Sequence, residues 1–278
     1  MPSSADIENK IHTFHDVEDI VNAMKAYAGV TVRKTEDIVP NLREYEKNVL
    51  SAMADVTVHF PDISLLKRNG GKKILVAFGS SQGLCGPYNE KMADAVAEVP
   101  EKDVLFVIGR RLAASLELRH IAYDHYTESL LSVNGIQSAL NKITSQIMNI
   151  YRKQEFYNLT FIFTYMYEKK AEISVERILP PDLESIISQG SFKKEPFTYL
   201  RADAIFTRVL EEFLYISLYR CHVESLRSEN WYRLRSMDGA SETLKKHIGE
   251  LGSLQKYVRQ EEITEEMLEI LGSGMFYR

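Results

Sequence analysis

The sequence has few cysteines and no long apolar run. Its 278 residues include two cysteines, Cys85 and Cys221, which lie far apart and form neither a CxxC nor a CxxH pattern. This spacing predicts neither a disulfide framework nor a zinc site, and we expect both thiols to be reduced. No run reaches the ~18 apolar residues that cross a bilayer, and the first residues match neither a signal peptide nor a transit peptide. We expect a cytoplasmic protein without direct membrane insertion.

Concentrated positive charge and catalytic motifs are also missing. Lysine and arginine (34 residues) are interspersed with aspartate and glutamate (39 residues) along most of the chain, which argues against a general nucleic-acid binder. Neither HExxH nor GxSxG occurs, and His12 and His15 are not spaced as a metal-binding i, i+4 pair. Acidic residues between 261 and 269 would spread over more than one helix face. The sequence therefore predicts no catalytic, metal or cofactor site.

The most regular stretch, residues 228–272, contains no proline and carries one apolar seam. Steps of three and four predict a helix whose seam lies along a partner helix. At 1.5 Å per residue this helix would reach roughly 65 Å, more than a compact domain needs. The seam consists of Met237, Ala240, Leu244, Ile248, Leu251, Leu254 and Val258.

Residues 7–58 predict a second long helix with the same alternation. Glu18 falls on its seam, and Pro40 should bend it because proline lacks the amide hydrogen. An amphipathic helix on a globular core is one interpretation. Two such helices at opposite ends of one chain favour an antiparallel coiled coil instead. The seam residues are Ile7, Ile11, Phe14, Val21, Met24, Ala28, Thr31, Thr35, Ile38, Leu42, Tyr45, Val49, Ala52 and Val56.

Between these helices, strand and helix patterns alternate. Buried strands are predicted at 72–78, 103–109 and 159–166, a possible strand at 122–126 and an edge strand at 173–180. Helices are predicted up to residue 97 and over 110–119 and 135–153, with a loop over 181–196 and a helix from about 201. We therefore predict an α/β fold: a long antiparallel coiled coil with an inserted, small, Rossmann-like, largely parallel sheet. Its domains would be an N-terminal shaft helix (1–60), the α/β insertion (61–198) and a C-terminal shaft helix (199–278).

The glycine-bearing loop 79–86 follows the first strand, where a doubly wound fold binds phosphate. Its spacing is neither GxGxxG nor a Walker A motif, and no lysine follows its last glycine. A structural turn between strand and helix and a small-molecule site both remain open for this loop.

The order of motifs resembles the γ subunit of the F-type (rotary) ATP synthase. The resemblance is carried by the terminal helices around an α/β centre and by Gly83-Leu84-Cys85-Gly86 followed by Asn89. It is also carried by an ungapped C-terminal pattern and, more sparsely, by Ala23-Met24-Lys25 and Pro40. That C-terminal pattern consists of Ser228, Glu229, Arg233, Met237, Ala240, Ile248, Leu251, Arg259, Gln260, Ile263, Thr264, Glu266, Glu269 and Ile270.

This resemblance implies a rotating central stalk that couples ion translocation to ATP synthesis or hydrolysis. The terminal helices would turn inside a ring of α and β subunits, while the α/β domain would sit with ε on the rotor ring of c subunits. The family's γ subunit has no catalytic site or cofactor of its own. The resemblance places the protein at the cytoplasmic face of the cell membrane as a peripheral subunit.

Carried over by position, eight residues resemble the family's contacts to the α/β ring: Met24, Lys25, Glu229, Arg233, Arg259, Gln260, Thr264 and Glu266. Residues 270–278 would lie in an apolar bearing of that ring. Trp231 and Tyr232 stand where the family usually has alanine, and this bulk would either close the shaft against its ring or mark altered partners. Alternatives are a γ-like coiled-coil interaction protein outside any rotary complex, and a small-molecule binder that uses the loop 79–86.

Overall fold

The computed structural model describes residues 3–63, 72–100, 102–129, 136–152, 156–168, 170–189 and 197–274. Six helices and five strands follow one another in these ranges. The helices are α1 (Ser4–His59), α2 (Tyr88–Glu98), α3 (Arg110–Glu117), α4 (Ile136–Arg152), α5 (Leu183–Gln189) and α6 (Ala202–Gly274). The strands are β1 (Lys72–Phe78), β2 (Val104–Ile108), β3 (His125–Thr127), β4 (Phe156–Tyr167) and β5 (Lys170–Leu179).

The five strands form one sheet in the order β3-β2-β1-β4-β5. The pairs β2–β3, β1–β2 and β1–β4 are parallel, whereas β5 pairs antiparallel with β4 at the sheet edge. A β4–β5 hairpin on a parallel sheet confirms both the largely parallel insertion and the predicted edge strand. The observed α/β fold with paired terminal helices confirms the predicted fold class.

The core follows from the alternation of side chains along β1. Ile74, Val76 and Phe78 belong to a large apolar cluster with residues of α1, α4 and α6. Leu75 and Ala77 belong to a second cluster with residues of α2 and α3. Because successive strand residues point to opposite faces, the sheet is buried on both sides. One face carries the terminal helices and the other carries α2 and α3.

One predicted loop is a helix in the structure. The interpretation of residues 181–196 as loop was wrong for α5, while 190–196 lie outside the described residues. Leu183, Ile186 and Ile187 of α5 pack against the larger apolar cluster. Their spacing of three and four puts them on one face, so docking on the core stabilises a helix too short to persist alone.

The chain divides into two compact units that cut across both terminal helices. One unit contains residues 29–232 and the other contains residues 1–28 with 233–278. The helix ends His59 and Ala202 lie close to the predicted domain boundaries, and the division into three segments stays a prediction. α1 continues through Pro40, while the bend predicted there also stays a prediction.

Each unit contains its own antiparallel pairing of α1 with α6. In the larger unit, Arg227 pairs with Glu36 at 2.6 Å and Arg43 with Glu224 at 3.0 Å. In the smaller unit, the backbone N–H of Ser4 donates to Glu262 at 2.9 Å. There Ile7, Val21, Met237 and Val258 are buried, while Leu254 is exposed. The predicted seams therefore pair two helices in both units.

Candidate functional site

Two serines of the loop 79–86 are hydrogen-bonded within the protein. Asn89 accepts from the Ser80 backbone N–H at 3.0 Å and donates to Ser80 Oγ at 2.9 Å, and both residues are buried. Ser81 Oγ accepts the backbone N–H of Ser129 at 2.8 Å. These side chains are engaged within the protein, which favours the interpretation of the loop as a structural turn.

Close packing explains two glycines around this loop. Gly109 has φ 110°, and a Cβ there would lie 2.6 Å from the carbonyl carbon and oxygen of Gly79. A Cβ on Gly79 would lie 2.2 Å from Cβ of Leu112. Any side chain at either position would collide with its neighbours, so the glycines permit the contact of β1 with the start of α3.

Of the eight predicted ring-contact residues, two lie on α1 in the smaller unit. Met24 and Lys25 are half-buried, and Nζ of Lys25 lies 2.5 Å from Oδ1 of Asp238 on α6. This ion pair is partly solvent-exposed, so it contributes to the register of the two helices more than to stability.

Glu229 and Arg233 lie one helical turn apart on α6 and are buried. Each exposes 2% of its surface. A side chain with so little surface offers almost no area to a partner subunit while the chain keeps this conformation. Their sequence pattern alone did not distinguish burial from partner contact.

Arg259, Gln260, Thr264 and Glu266 are exposed on α6 in the smaller unit. Thr264 Oγ1 donates to the backbone carbonyl of Gln260 at 2.7 Å, so the hydroxyl is hydrogen-bonded within its own helix. Large apolar side chains on the same stretch are also exposed: Tyr257, Ile263, Met267, Leu268, Ile270 and Leu271. The structure thus presents an exposed surface of mixed chemistry, which we call the α6 outer surface and define by residues 257–271.

Tyr232, one of the two bulky departures from the family pattern, packs within the larger unit. Its ring meets Tyr88 edge-on at 5.8 Å between centroids and Trp231 at 5.4 Å. Nζ of Lys91 lies over the Tyr232 ring at 5.5 Å and donates to its hydroxyl at 3.2 Å. Tyr88 and Lys91 are on α2, so this cluster attaches α2 to α6.

A buried ion network in the larger unit was missed by the sequence reasoning. Arg220 on α6 pairs with Glu46 of α1 and with Glu176 of β5, and Glu224 lies one turn further along α6. The signal that could have revealed it is the pair Arg220 and Glu224 at i, i+4 inside an otherwise largely apolar stretch of helix.

Electrostatics keep the two arginines of this network charged. Burial disfavours the guanidinium of Arg220, but the surrounding negative groups, including Glu46 and Glu176, outweigh it and raise its pKa above the ordinary value. The hydrogen bond to Glu224 likewise raises the pKa of Arg43. Both arginines therefore stay protonated, as paired guanidinium groups do.

In the described part of the chain, no helix is long and apolar enough to span a membrane. Within the same residues, no group of three or more histidine, cysteine, aspartate or glutamate side chains could hold a metal ion.

The fold defines the chain as an α/β domain inserted between two terminal helices that pair antiparallel. A family model described as ATP synthase matches residues 3–275. The chain therefore belongs to the ATP synthase family, and it resembles the γ chains of that family over its whole length.

The sequence relatives and the structural neighbours are also ATP synthase chains. The chain is 29% identical to the ATP synthase gamma chain of Bdellovibrio bacteriovorus, over 99% of this chain and 98% of the relative. It is 27% identical to that of Geotalea uraniireducens, with the same coverage. A chain of the Euglena gracilis mitochondrial ATP synthase matches 98% of this chain and 93% of its own length, with a TM-score of 0.63 and 15% identity. A chain of the Tetrahymena thermophila central stalk and c-ring matches with a TM-score of 0.60 and 16% identity.

Proposed function

We propose that this γ-type chain is the rotating central stalk of an F-type ATP synthase, coupling ion translocation to ATP synthesis or hydrolysis. The observation that carries the proposal is the antiparallel pairing of α1 with α6 around the inserted sheet, together with a family match over nearly the whole chain. One asymmetric shaft inside a ring of α and β subunits presents a different face to each catalytic site. Its rotation shifts the conformational equilibrium of each site in turn.

Contact with the ring is proposed through the α6 outer surface and, on α1, through Met24 and Lys25. Arg259, Gln260, Thr264 and Glu266 are exposed there and can exchange polar contacts with a partner, while Met24 and Lys25 are half-buried. Glu229 and Arg233 belong to the same proposed set, and because both are buried we propose that they act indirectly, by supporting α6.

The α/β domain is the proposed attachment for ε and for the c subunits of the rotor ring. Under this proposal, the protein is a peripheral subunit at the cytoplasmic face of the cell membrane. The proposal is supported by the structural neighbours, which come from central-stalk, F1 and c-ring assemblies.

Co-expression with the cognate α and β subunits tests the central-stalk function. We expect a ring complex whose ATP hydrolysis depends on this chain. If no such complex forms, the alternative of a γ-like interaction protein outside rotary complexes is favoured.

Gln260→Ala and Arg233→Ala separate ring contact from internal support. Gln260 is exposed, so its loss should reduce ATPase activity or coupling in the complex and leave the thermal stability of the isolated chain unchanged. Arg233 is buried, so its truncation should destabilise the isolated chain by about 1–3 kcal/mol. Equal loss of thermal stability in both variants would make Gln260 a structural residue and contradict its proposed contact.

A further inference from the structure

Arg220 joins three secondary-structure elements at one buried point. Its side chain exposes 8% of its surface and lies on α6 between α1 and the edge strand β5. Nε of Arg220 is 2.5 Å from Oε2 of Glu46 on α1, an ion pair without the alignment of a hydrogen bond. Nη2 donates to Oε2 of Glu176 on β5 at 2.6 Å. The guanidinium of Arg220 therefore contacts both α1 and the sheet.

Neighbouring groups fix the two carboxylates on the helices. Ser217 Oγ donates to Oε1 of Glu46 at 2.6 Å. Arg43 Nε donates to Oε1 of Glu224 at 3.0 Å, and Nη1 of Arg220 lies 3.7 Å from the same oxygen. The guanidinium carbon also lies 5.4 Å from the centre of the Phe163 ring on β4. These contacts hold the guanidinium group of Arg220 in one orientation, next to its negatively charged partners.

Net stability does not explain such a network. A buried ion pair costs much of its Coulomb energy in desolvation, and well-packed apolar residues of similar volume often stabilise a protein as much or more. Apolar contacts, however, are non-directional, whereas charge-assisted hydrogen bonds from a planar guanidinium fix distance and angle. What the network adds is resistance to sliding and rotation among α1, α6 and β5.

We propose that Arg220 is a positioning residue that locks α1, α6 and the edge strand β5 in one rotational register, so that torque passes between the sheet and both helices without slip. This inference rests on the proposed function as a rotating stalk. It names one residue that connects the α/β domain to both helices in the larger unit.

The chain offers a matched control on the same helix. Arg227 of α6 donates through Nη2 to Oε1 of Glu36 on α1 at 2.6 Å. This pair has the same chemistry and length as Arg220–Glu176, but it joins helix to helix and includes no strand. Glu176→Gln and Glu36→Gln therefore remove equivalent charges from partly exposed carboxylates.

The experiment measures torsional stiffness in the assembled complex. The α/β ring is fixed to a surface, and a probe is attached to a cysteine introduced at Leu118. This position is exposed, whereas Cys85 and Cys221 are buried and should not be labelled. Stiffness follows from the thermal angular fluctuation of the probe. We expect Glu176→Gln to lower it about twofold, because the charge that strengthens the hydrogen bond from Arg220 to β5 is lost, and Glu36→Gln to leave it unchanged. Arg220→Met should lower it further.

Stability-matched variants separate positioning from folding. Leu214→Ala removes a buried apolar side chain of the same core and should lower thermal stability without lowering stiffness. Wild-type stiffness in both Glu176→Gln and Arg220→Met would overturn the inference, as would stiffness that simply follows the unfolding temperature in every variant. If Arg220→Met does not assemble, Glu176→Gln decides alone. Failure of the wild-type chain to support a rotating complex would instead contradict the proposed function.

Discussion

Tyr232 shows how a single bulky residue can be accommodated inside the chain. From the sequence, Tyr232 and Trp231 would either close the shaft against its ring or mark altered partners. In the structure, the Tyr232 ring contacts Tyr88 and Lys91 of α2. Its bulk is used at least in part to attach the α/β domain to α6, so its size alone does not indicate a different ring.

Truncating Tyr232 should therefore weaken the isolated chain. Tyr232→Ala removes two aromatic contacts, a cation–π contact and a hydrogen bond from a half-buried site, which together predict a loss of about 1–3 kcal/mol in the free energy of unfolding. Urea denaturation measures this loss. Tyr232→Phe keeps both ring contacts and serves as the control with a smaller effect. Unchanged stability in the alanine variant would contradict the packing role.

Burial also determines the chemistry of Cys221. It is fully buried, and desolvation raises the pKa of its thiol well above the ordinary value. Because the folded state favours the protonated thiol, this contribution to stability is complete below the unfolded pKa of about 8.5 and is lost as pH rises above it.

We expect Cys221 to react slowly with a thiol reagent in the native protein and rapidly after unfolding. The free energy of unfolding of the wild type should also fall relative to Cys221→Ala as pH is raised above about 8.5. Denaturation at several pH values tests this difference. A stability difference that does not change with pH would show that the thiol is not held protonated by the fold.

At the scale of elements, α6 contains glycines that its packing does not require. A Cβ added at Gly249 or Gly252 would meet no atom within 4 Å, and both residues are helical. Glycine in a helix interior costs backbone entropy that alanine does not. The two glycines therefore weaken α6 locally without serving a close contact.

Gly249→Ala and Gly252→Ala should each stabilise the isolated chain by about 0.5–1 kcal/mol. Thermal unfolding measures the gain. Gly109→Ala is the opposite case, since its φ of 110° and its contact with Gly79 exclude a side chain, and it should destabilise the chain. Loss of stability in the α6 variants would mean that these glycines serve a contact after all.

At the scale of the whole molecule, substitutions of exposed apolar residues distinguish the stability of the isolated chain from its assembly with partner subunits. Ile263 and Leu268 on the α6 outer surface are 49% and 62% exposed. Substitutions at exposed sites usually change stability by less than about 0.5 kcal/mol. A role in the ring would be visible only once the partner subunits are present.

The double variant Ile263→Ser, Leu268→Ser should therefore leave the unfolding of the isolated chain nearly unchanged and reduce recovery of the ring complex. Co-purification with tagged β subunits and the ATPase activity of the complex measure the second effect. Val175→Ser and Tyr167→Ser alter equally exposed apolar residues of the α/β domain and provide the control. Undiminished assembly of the α6 variant would remove these residues from the proposed contact.

Much of the fold could be predicted because it depends on local periodicity. Strand β1 was predicted with its observed bounds, and β2, β4 and β5 within a few residues, because buried strands form short apolar runs between turns. Helix α5 was missed, since seven residues have little helical preference until they dock on a core. The candidate site was predicted only as positions, because periodicity does not reveal which polar side chains other elements cover.

The sequence by itself determined the two long helices, their apolar seams, the inserted parallel sheet and the family to which the chain belongs. These features follow from side-chain spacing along single elements and from motif order. Tertiary structure decided that Glu229 and Arg233 are buried, that Tyr232 contacts α2 and that Arg220 joins α1, α6 and β5. Burial and ion pairing arise between residues far apart in sequence, so only the folded chain brings Glu46, Glu176 and Arg220 within hydrogen-bonding distance.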